Sequence, residues 1–196
     1  MRKIATVIGM ALAMWWAGPA LAQPQGDGAR LAALSGVYES TAPEPWYGGF
    51  GTRRFEFQDG RWALVFEHAL DPEMTRKTFR FRTYGPYRIE GPAPGAPNAF
   101  AAVFGYAAKL VTLLTDDPAT IAAYGFAACG LVRGVELDVS ARGCASWRPV
   151  ADCAEDHDLL AFAGDGLRFG QRPRGNDLCT ADKRPTSLFE PIVVRR

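Results

Sequence analysis

From Thr52 to Gln58, Phe55 and Phe57 alternate with Arg54, Glu56 and Gln58, and from Arg61 to His68 the side chains of Trp62, Leu64 and Phe66 share one face. Alternation at period two marks a strand with one buried face. Asp59-Gly60 joins the two runs, and such a pair predicts a tight hairpin because both central turn residues need positive φ. The pattern returns over Lys77–Tyr84, where Phe79 and Phe81 oppose Arg80 and Arg82, and a further strand is predicted over Tyr87–Glu90 after a break at Gly85-Pro86. Shorter strands are expected at Gly36–Ser40, Gly134–Ala141 (Val135, Leu137 and Val139 inward), Asp158–Ala163, Leu167–Gly170 and Leu188–Val194, with a second tight turn at Asp165-Gly166. Phe100–Thr115 suits a helix or two strands around Ala107-Ala108. Strands are preferred, because a helical stripe through Ala101, Phe104 and Ala108 leaves Phe100 and Val103 poorly placed.

Asp117-Pro118 reads as an N-cap followed by a proline at the first helical position, opening a short helix to Tyr124. Ala42–Gly51 is a Pro/Gly-rich loop carrying Trp46, Tyr47 and Phe50, and Gly91–Pro97 is a second turn-rich loop. Many short strands with one short helix predict an all-β domain: an open antiparallel β-barrel or half-barrel, or a sandwich.

The N-terminus narrows the setting. Arg2 and Lys3 precede an apolar run from Ile4 to Trp16, Gly18-Pro19 breaks it, and Ala20-Leu21-Ala22 offers a small-x-small site before Gln23. This is the pattern of a removable export signal over residues 1–22, too short for a spanning anchor. Residues 23–33 are expected to form a flexible lead, with a helical turn towards Leu34, and residues 34–196 a single domain. Loss of Arg2 and Lys3 takes the formal charge from +1 to −1. Near-neutrality argues against nucleic acid as a partner. No later apolar run is long enough for a transmembrane anchor after signal cleavage. A bacterial envelope protein, periplasmic or secreted, is the expectation.

Export makes Cys129, Cys144, Cys153 and Cys179 most simply two disulfides. Of three connectivities the sequential one is favoured, Cys129–Cys144 and Cys153–Cys179, whose loops are worth about 3 and 3.5 kcal/mol on a chain-entropy model. A zinc site has little to draw on, since there is no Cys-x-x-Cys and His157 is the one nearby imidazole. No cofactor is implied.

For chemistry, the leading candidates are the ring-rich strand faces: Phe55, Phe57, Trp62, Leu64, Phe66, Phe79 and Phe81. They line a ligand pocket if the sheet curls and form ordinary core if it packs on a second layer. Asp152–Asp158 (Asp-Cys-Ala-Glu-Asp-His-Asp) is the densest polar cluster; it reads as a solvated loop ahead of the next strand more readily than as a metal or acid/base site, having no calcium-loop spacing. His68 ends the aromatic strand, where a hydrogen-bonded histidine at the sheet rim is the expectation. Arg168, Arg172, Arg174, Lys183 and Arg184 form a basic stretch suited either to a lipid headgroup or to pairing with Asp177 and Asp182. No nucleophile elbow, His-Glu-x-x-His, P-loop or dinucleotide fingerprint is present.

Several segments resemble the domain of the adenomatosis polyposis coli down-regulated protein family. Leu167–Pro173 (Leu-Arg-Phe-Gly-Gln-Arg-Pro) and Asp182–Ser187 (Asp-Lys-Arg-Pro-Thr-Ser) resemble its closing stretch, and Gly134–Val139 leading to Gly143-Cys144 resembles the strand and cysteine before it. Leu34–Ser40, Thr52–Phe57 and Gly85-Pro86-Tyr87 are similar to its earlier strands. The resemblance covers most of residues 34–194. It departs at Thr41-Ala42-Pro43 and Asp71–Met74, where the family carries a cysteine each, and Cys153 and Cys179 fall outside the family's pattern. It implies a β-barrel-like domain enclosing a hydrophobic cavity for lipid; the family's role in animal Wnt signalling does not transfer to a bacterial relative. Residues 55–81 then become a binding surface, with Arg172 tying the tail to the sheet. The resulting expectation is an exported binding protein for a hydrophobic small molecule, a lipid or acyl chain, acting without catalysis. An envelope protein–protein interaction module, using loops 42–50 and 91–98 and holding an ordinary packed core, is the second reading. An enzyme built on Asp156, His157 and Asp158 is the third.

Overall fold

The computed structural model describes residues 24–173 and 175–196; the predicted signal, and Arg174 of the basic stretch, lie outside them. Eleven strands follow the first helix, α1 (Pro24–Ala32): β1 (Gly36–Ser40), β2 (Glu44–Trp46), β3 (Gly49–Gln58), β4 (Arg61–Ala69), β5 (Lys77–Pro92), β6 (Phe100–Gly105), β7 (Ala108–Leu113), β8 (Glu136–Asp138), β9 (Glu155–Ala163), β10 (Gly166–Phe169) and β11 (Val193–Arg195). A second helix, α2 (Pro118–Ala123), precedes β8. Eight strands hydrogen-bond in the closed antiparallel order β3-β1-β11-β10-β9-β6-β5-β4 and back to β3. The expected barrel is therefore present, and it is closed, not open. An eight-stranded ring leaves an interior just wide enough for side chains or one small ligand.

The hairpin at Asp59-Gly60 forms as read, with φ of 50° and 71° at the two positions and Gln58 opposite Arg61. The second tight turn sits one residue earlier than expected: Gly166 pairs with Ala163, and the positive φ falls on Gly164. Gly85-Pro86 does not break the chain. β5 runs through it as one 16-residue strand, because Gly85 lets the backbone at Gly105 and Ala107 approach where a β-carbon would collide. β6 and β7 are two stretches of one path laid along β5, from Pro92↔Phe100 to Phe79↔Leu113. That path bears out the strand reading of residues 100–115.

Both barrel ends are covered by chain from outside the ring of strands. The supposedly flexible lead is the helix α1, whose Leu31 is 0% exposed. Leu31 and Leu34 plug one end against Tyr38, Phe57, Tyr87 and Phe100. The Tyr87 hydroxyl lies 3.0 Å from the Leu31 carbonyl and accepts from the Leu34 N–H at 3.0 Å, so helix-end groups that burial would orphan are satisfied. At the other end, α2, a 3-10 turn at Phe126–Ala128, Val139 and Trp147 form a cap over Phe66, Phe79 and Phe81. Asp117 caps α2 as expected, accepting from Thr120 N–H at 2.8 Å. Cys129–Cys144 lies within this cap, and Cys153–Cys179 joins its end to the tail, so the sequential pairing holds. Of the expected strand Gly134–Ala141 only Glu136–Asp138 pairs, at the sheet edge, and Val135 is 55% exposed instead of inward. Of the predicted strand Leu188–Val194, Leu188 makes an isolated bridge to Gly170 and Val193–Val194 enter β11. Residues 93–99 fold back on the barrel's outer face, burying Ala93, Ala96 and Ala99 against Leu159 and Ala161.

If α1 is an integral plug, Leu31→Ala is expected to cost about 2–5 kcal/mol, measured by urea unfolding of residues 23–196. An unchanged midpoint would show that the helix does not dock in solution.

Candidate functional site

The interior is not filled uniformly. The half next to α1 is solid: Phe57 packs edge-on to Tyr38 and Tyr87, and Phe100, Ala102 and Leu160 close it. Between this layer and the cap lies a cavity of about 110 Å³. Inward positions of successive strands supply its wall: Phe55 on β3, Trp62, Leu64 and Phe66 on β4, Phe81 on β5, Phe104 on β6 and Phe169 on β10. Trp46, Tyr47 and Trp147 roof it, and Tyr47, 51% exposed, stands at the rim. The rings hold one another in place: Phe55 stacks on Phe169 at 4.3 Å, Phe81 on Trp147 at 4.8 Å, and Trp62 meets Phe104 edge-on at 4.9 Å. The Trp62 indole N–H donates to the Gly105 carbonyl at 3.0 Å. Such coupling fixes the shape of the wall and keeps it from collapsing inward.

Five of the seven aromatic-face candidates therefore border the cavity: Phe55, Trp62, Leu64, Phe66 and Phe81. The other two do not. Phe57 belongs to the solid layer. Phe79 is enclosed by the cap, stacked on His68 at 5.1 Å and edge-on to Phe126 and Trp147. His68 is 0% exposed, deeper than a rim position. Its Nε2 faces the Trp46 carbonyl at 3.0 Å and therefore carries the proton, leaving Nδ1 to accept from the Thr78 hydroxyl at 2.7 Å. Burial lowers its pKa, so the imidazole stays neutral and pins the β2–β3 turn to the barrel.

The wall also carries charge, in two sets. Glu44 and Arg53 form a buried pair with two bonds, Nε to Oε2 at 2.8 Å and Nη2 to Oε1 at 3.0 Å. Glu44 also accepts from Ser40 and from the Trp46 indole N–H. Around the Arg53 guanidinium, the rings of Trp46, Phe55, Phe169 and Phe189 stand 5.3–5.9 Å away. Arg53 shares the β3 face of Phe55 and Phe57, so its inward direction was readable from period two alone.

The second set corrects the loop reading over Glu155–His157, while Asp152–Ala154 stay outside any strand. Residues 155–163 are strand β9, registered so that Phe104 faces Asp156 and Ala102 faces Asp158. Both carboxylates thus join Leu160 on the interior face, while His157 points away. Arg172 donates to Asp156 at 2.6 Å; it ties the tail to the sheet, but from inside the barrel. Asp158 Oδ1 accepts from the N–H groups of Leu159 (2.7 Å) and Gly170 (3.0 Å). A β-carbon at Gly170 would collide with that oxygen. Burial is the main cause that pushes the Asp158 carboxyl up to about 6, with Arg172 opposing it and Asp156 adding to it. The Tyr106 hydroxyl is raised well above its usual range by burial and by Asp156. Elsewhere in the basic stretch, Lys183 pairs with Asp177 at 2.8 Å, as expected, and Arg184 with Glu90 at 2.8 Å.

Chemically, the site can enclose a small apolar group against rings and present it with a guanidinium and two carboxyls at one side. No family model matches the chain, and no curated protein matches it in sequence.

Two stability measurements follow. Glu44→Gln leaves Arg53 buried without its counter-charge and is expected to cost about 3–5 kcal/mol, read from the denaturation midpoint; a cost below 1 kcal/mol would mean the pair is solvated. Asp158 binds its proton more tightly folded than unfolded, so its contribution is present below about pH 4 and is lost as pH rises through about 6. Asp158→Asn is therefore expected to stabilise at pH 7.5, by at most about 3 kcal/mol, with little change at pH 3.5. The same gain at both pH values would contradict a raised carboxyl.

Proposed function

We propose that this chain is an exported binding protein that holds a hydrophobic or amphipathic small molecule, in the first instance an acyl chain, in the barrel cavity and performs no chemistry on it. The observation that carries this reading is the ring-walled hollow between two filled layers, roofed by a short aromatic turn. Two disulfides fit an oxidising compartment. No helix among the described residues is long and apolar enough to cross a membrane. The resemblance to the adenomatosis polyposis coli down-regulated domain, whose cavity takes lipid, supports the same reading from the sequence side.

Magnitudes limit the ligand. Cavities enclosing a drug-sized molecule measure about 300–1,000 Å³, so 110 Å³ takes one end of a chain or a compact molecule. Burying about six methylenes yields about 5 kcal/mol gross. Association costs about 4–15 kcal/mol. Affinity is then modest unless a polar contact adds to it, which suits a carrier that must also release. The competing interaction-module reading has less support: of its two loops, residues 91–98 bury Ala93 and Ala96 against the protein's own barrel, and residues 42–50 supply the cavity roof.

Native mass spectrometry and lipid extraction of gently purified protein are expected to reveal a co-purifying hydrophobic molecule. Phe66→Asp, and independently Leu64→Trp, which fills the hollow without adding charge, are expected to reduce uptake of a short fluorescent fatty acid at least about tenfold. Unaltered uptake by both folded variants would remove the cavity from consideration.

A further inference from the structure

The charges around the cavity are not all paired with one another. Arg53 is neutralised by Glu44 through two bonds, and Arg172 by Asp156. The third buried cation, Lys109, is held by the Arg148 and Cys153 carbonyls, which leaves Asp158 as the cavity carboxyl without a direct ion pair among the described residues. Its Oδ1 is occupied by the Leu159 and Gly170 N–H groups, and its Oδ2 has no hydrogen-bond partner among the described residues. The residue lines the cavity beside Gly170, immediately after the Phe169 ring. A carboxylate in such a wall is costly unless a positive partner arrives. The rings facing it also attract cations, through the negative faces of their π-systems.

An anionic head, by contrast, would meet Asp156 and Asp158 together, and would compete with Asp156 for Arg172. The geometry points to a cationic amphiphile as the ligand class: an ammonium group seated on Asp158, with an apolar body against Phe55, Trp62 and Phe104. This inference rests on the cavity-binding reading and narrows it. The raised proton affinity of Asp158 marks a carboxylate that its surroundings stabilise poorly, and an arriving cation would favour its ionised form.

The test compares hexylammonium, hexan-1-ol and hexanoate, three probes of equal chain length, by calorimetric titration of the folded protein at pH 7.5. Hexylammonium is expected to bind at least about tenfold more tightly than hexanoate, with the alcohol between them. Asp158→Asn is expected to abolish the preference for ammonium while hexan-1-ol affinity stays within about twofold. Binding of the alcohol with no ammonium preference, or with hexanoate favoured, overturns the cationic-ligand inference and leaves the cavity-binding reading standing. Preference retained in Asp158→Asn overturns the role of Asp158. Failure of all three probes overturns both readings. The wild-type ranking decides the matter by itself should the variant not fold.

Discussion

A closed ring of eight antiparallel strands has no edge to spare, and that closure dictates most of what else the chain must do. Every inward side chain competes for one narrow interior. Rings at alternate positions of β3, β4, β5, β6 and β10 take most of it, and α1 with Leu31 and Leu34 seals the end they leave open. At the opposite end a separate cap, braced by Cys129–Cys144, lies over Phe66, Phe79 and Phe81. The hollow survives where these two fillings fail to meet.

Charge inside so apolar a ring is tolerated only where it is met by opposite charge or by backbone polar groups. Arg53 satisfies this through Glu44, which also gathers Ser40 and Trp46 and so fixes the β2 turn that roofs the site. Arg172 and Asp156 satisfy it between tail and sheet. Lys109 does so on the cap side, its ammonium donating to the carbonyls of Arg148 and Cys153, where burial lowers its pKa. The polar groups thus serve as fasteners between the barrel and the segments that cover it. Asp158 differs from Glu44 and Asp156 in being held by backbone N–H groups with no ion pair.

The places where the structure departs from the sequence pattern share a cause. Dense charge normally means solvent, and that predicts a loop through Glu155–His157; yet Asp156 and Asp158 keep strict alternation with Leu160, and period two outweighs polarity once a partner such as Arg172 is available. Gly26, Asp27 and Gly28 are poor helix formers and predict a flexible segment before Leu34. Packing of one leucine into the barrel end is enough to override that. Local turn chemistry predicts a strand break at Gly85-Pro86, whereas the close approach of Gly105 needs a glycine there and Pro86 sits at a strand position where Arg61 is the partner.

The linear chain by itself determined that this is an antiparallel β domain, where its first hairpin turns, which rings face inward, and that its four cysteines suit two sequential bridges. These are local matters, since side-chain period and turn residues act over a few positions. Only the tertiary structure decided that the ring closes, that Phe57 and Phe79 are plain core, and that charged groups of both signs share the interior. Those outcomes depend on the register between strands as distant in sequence as β6 and β9. Whether a wall of rings encloses a solid or a hollow is a question of volume, which no single segment carries.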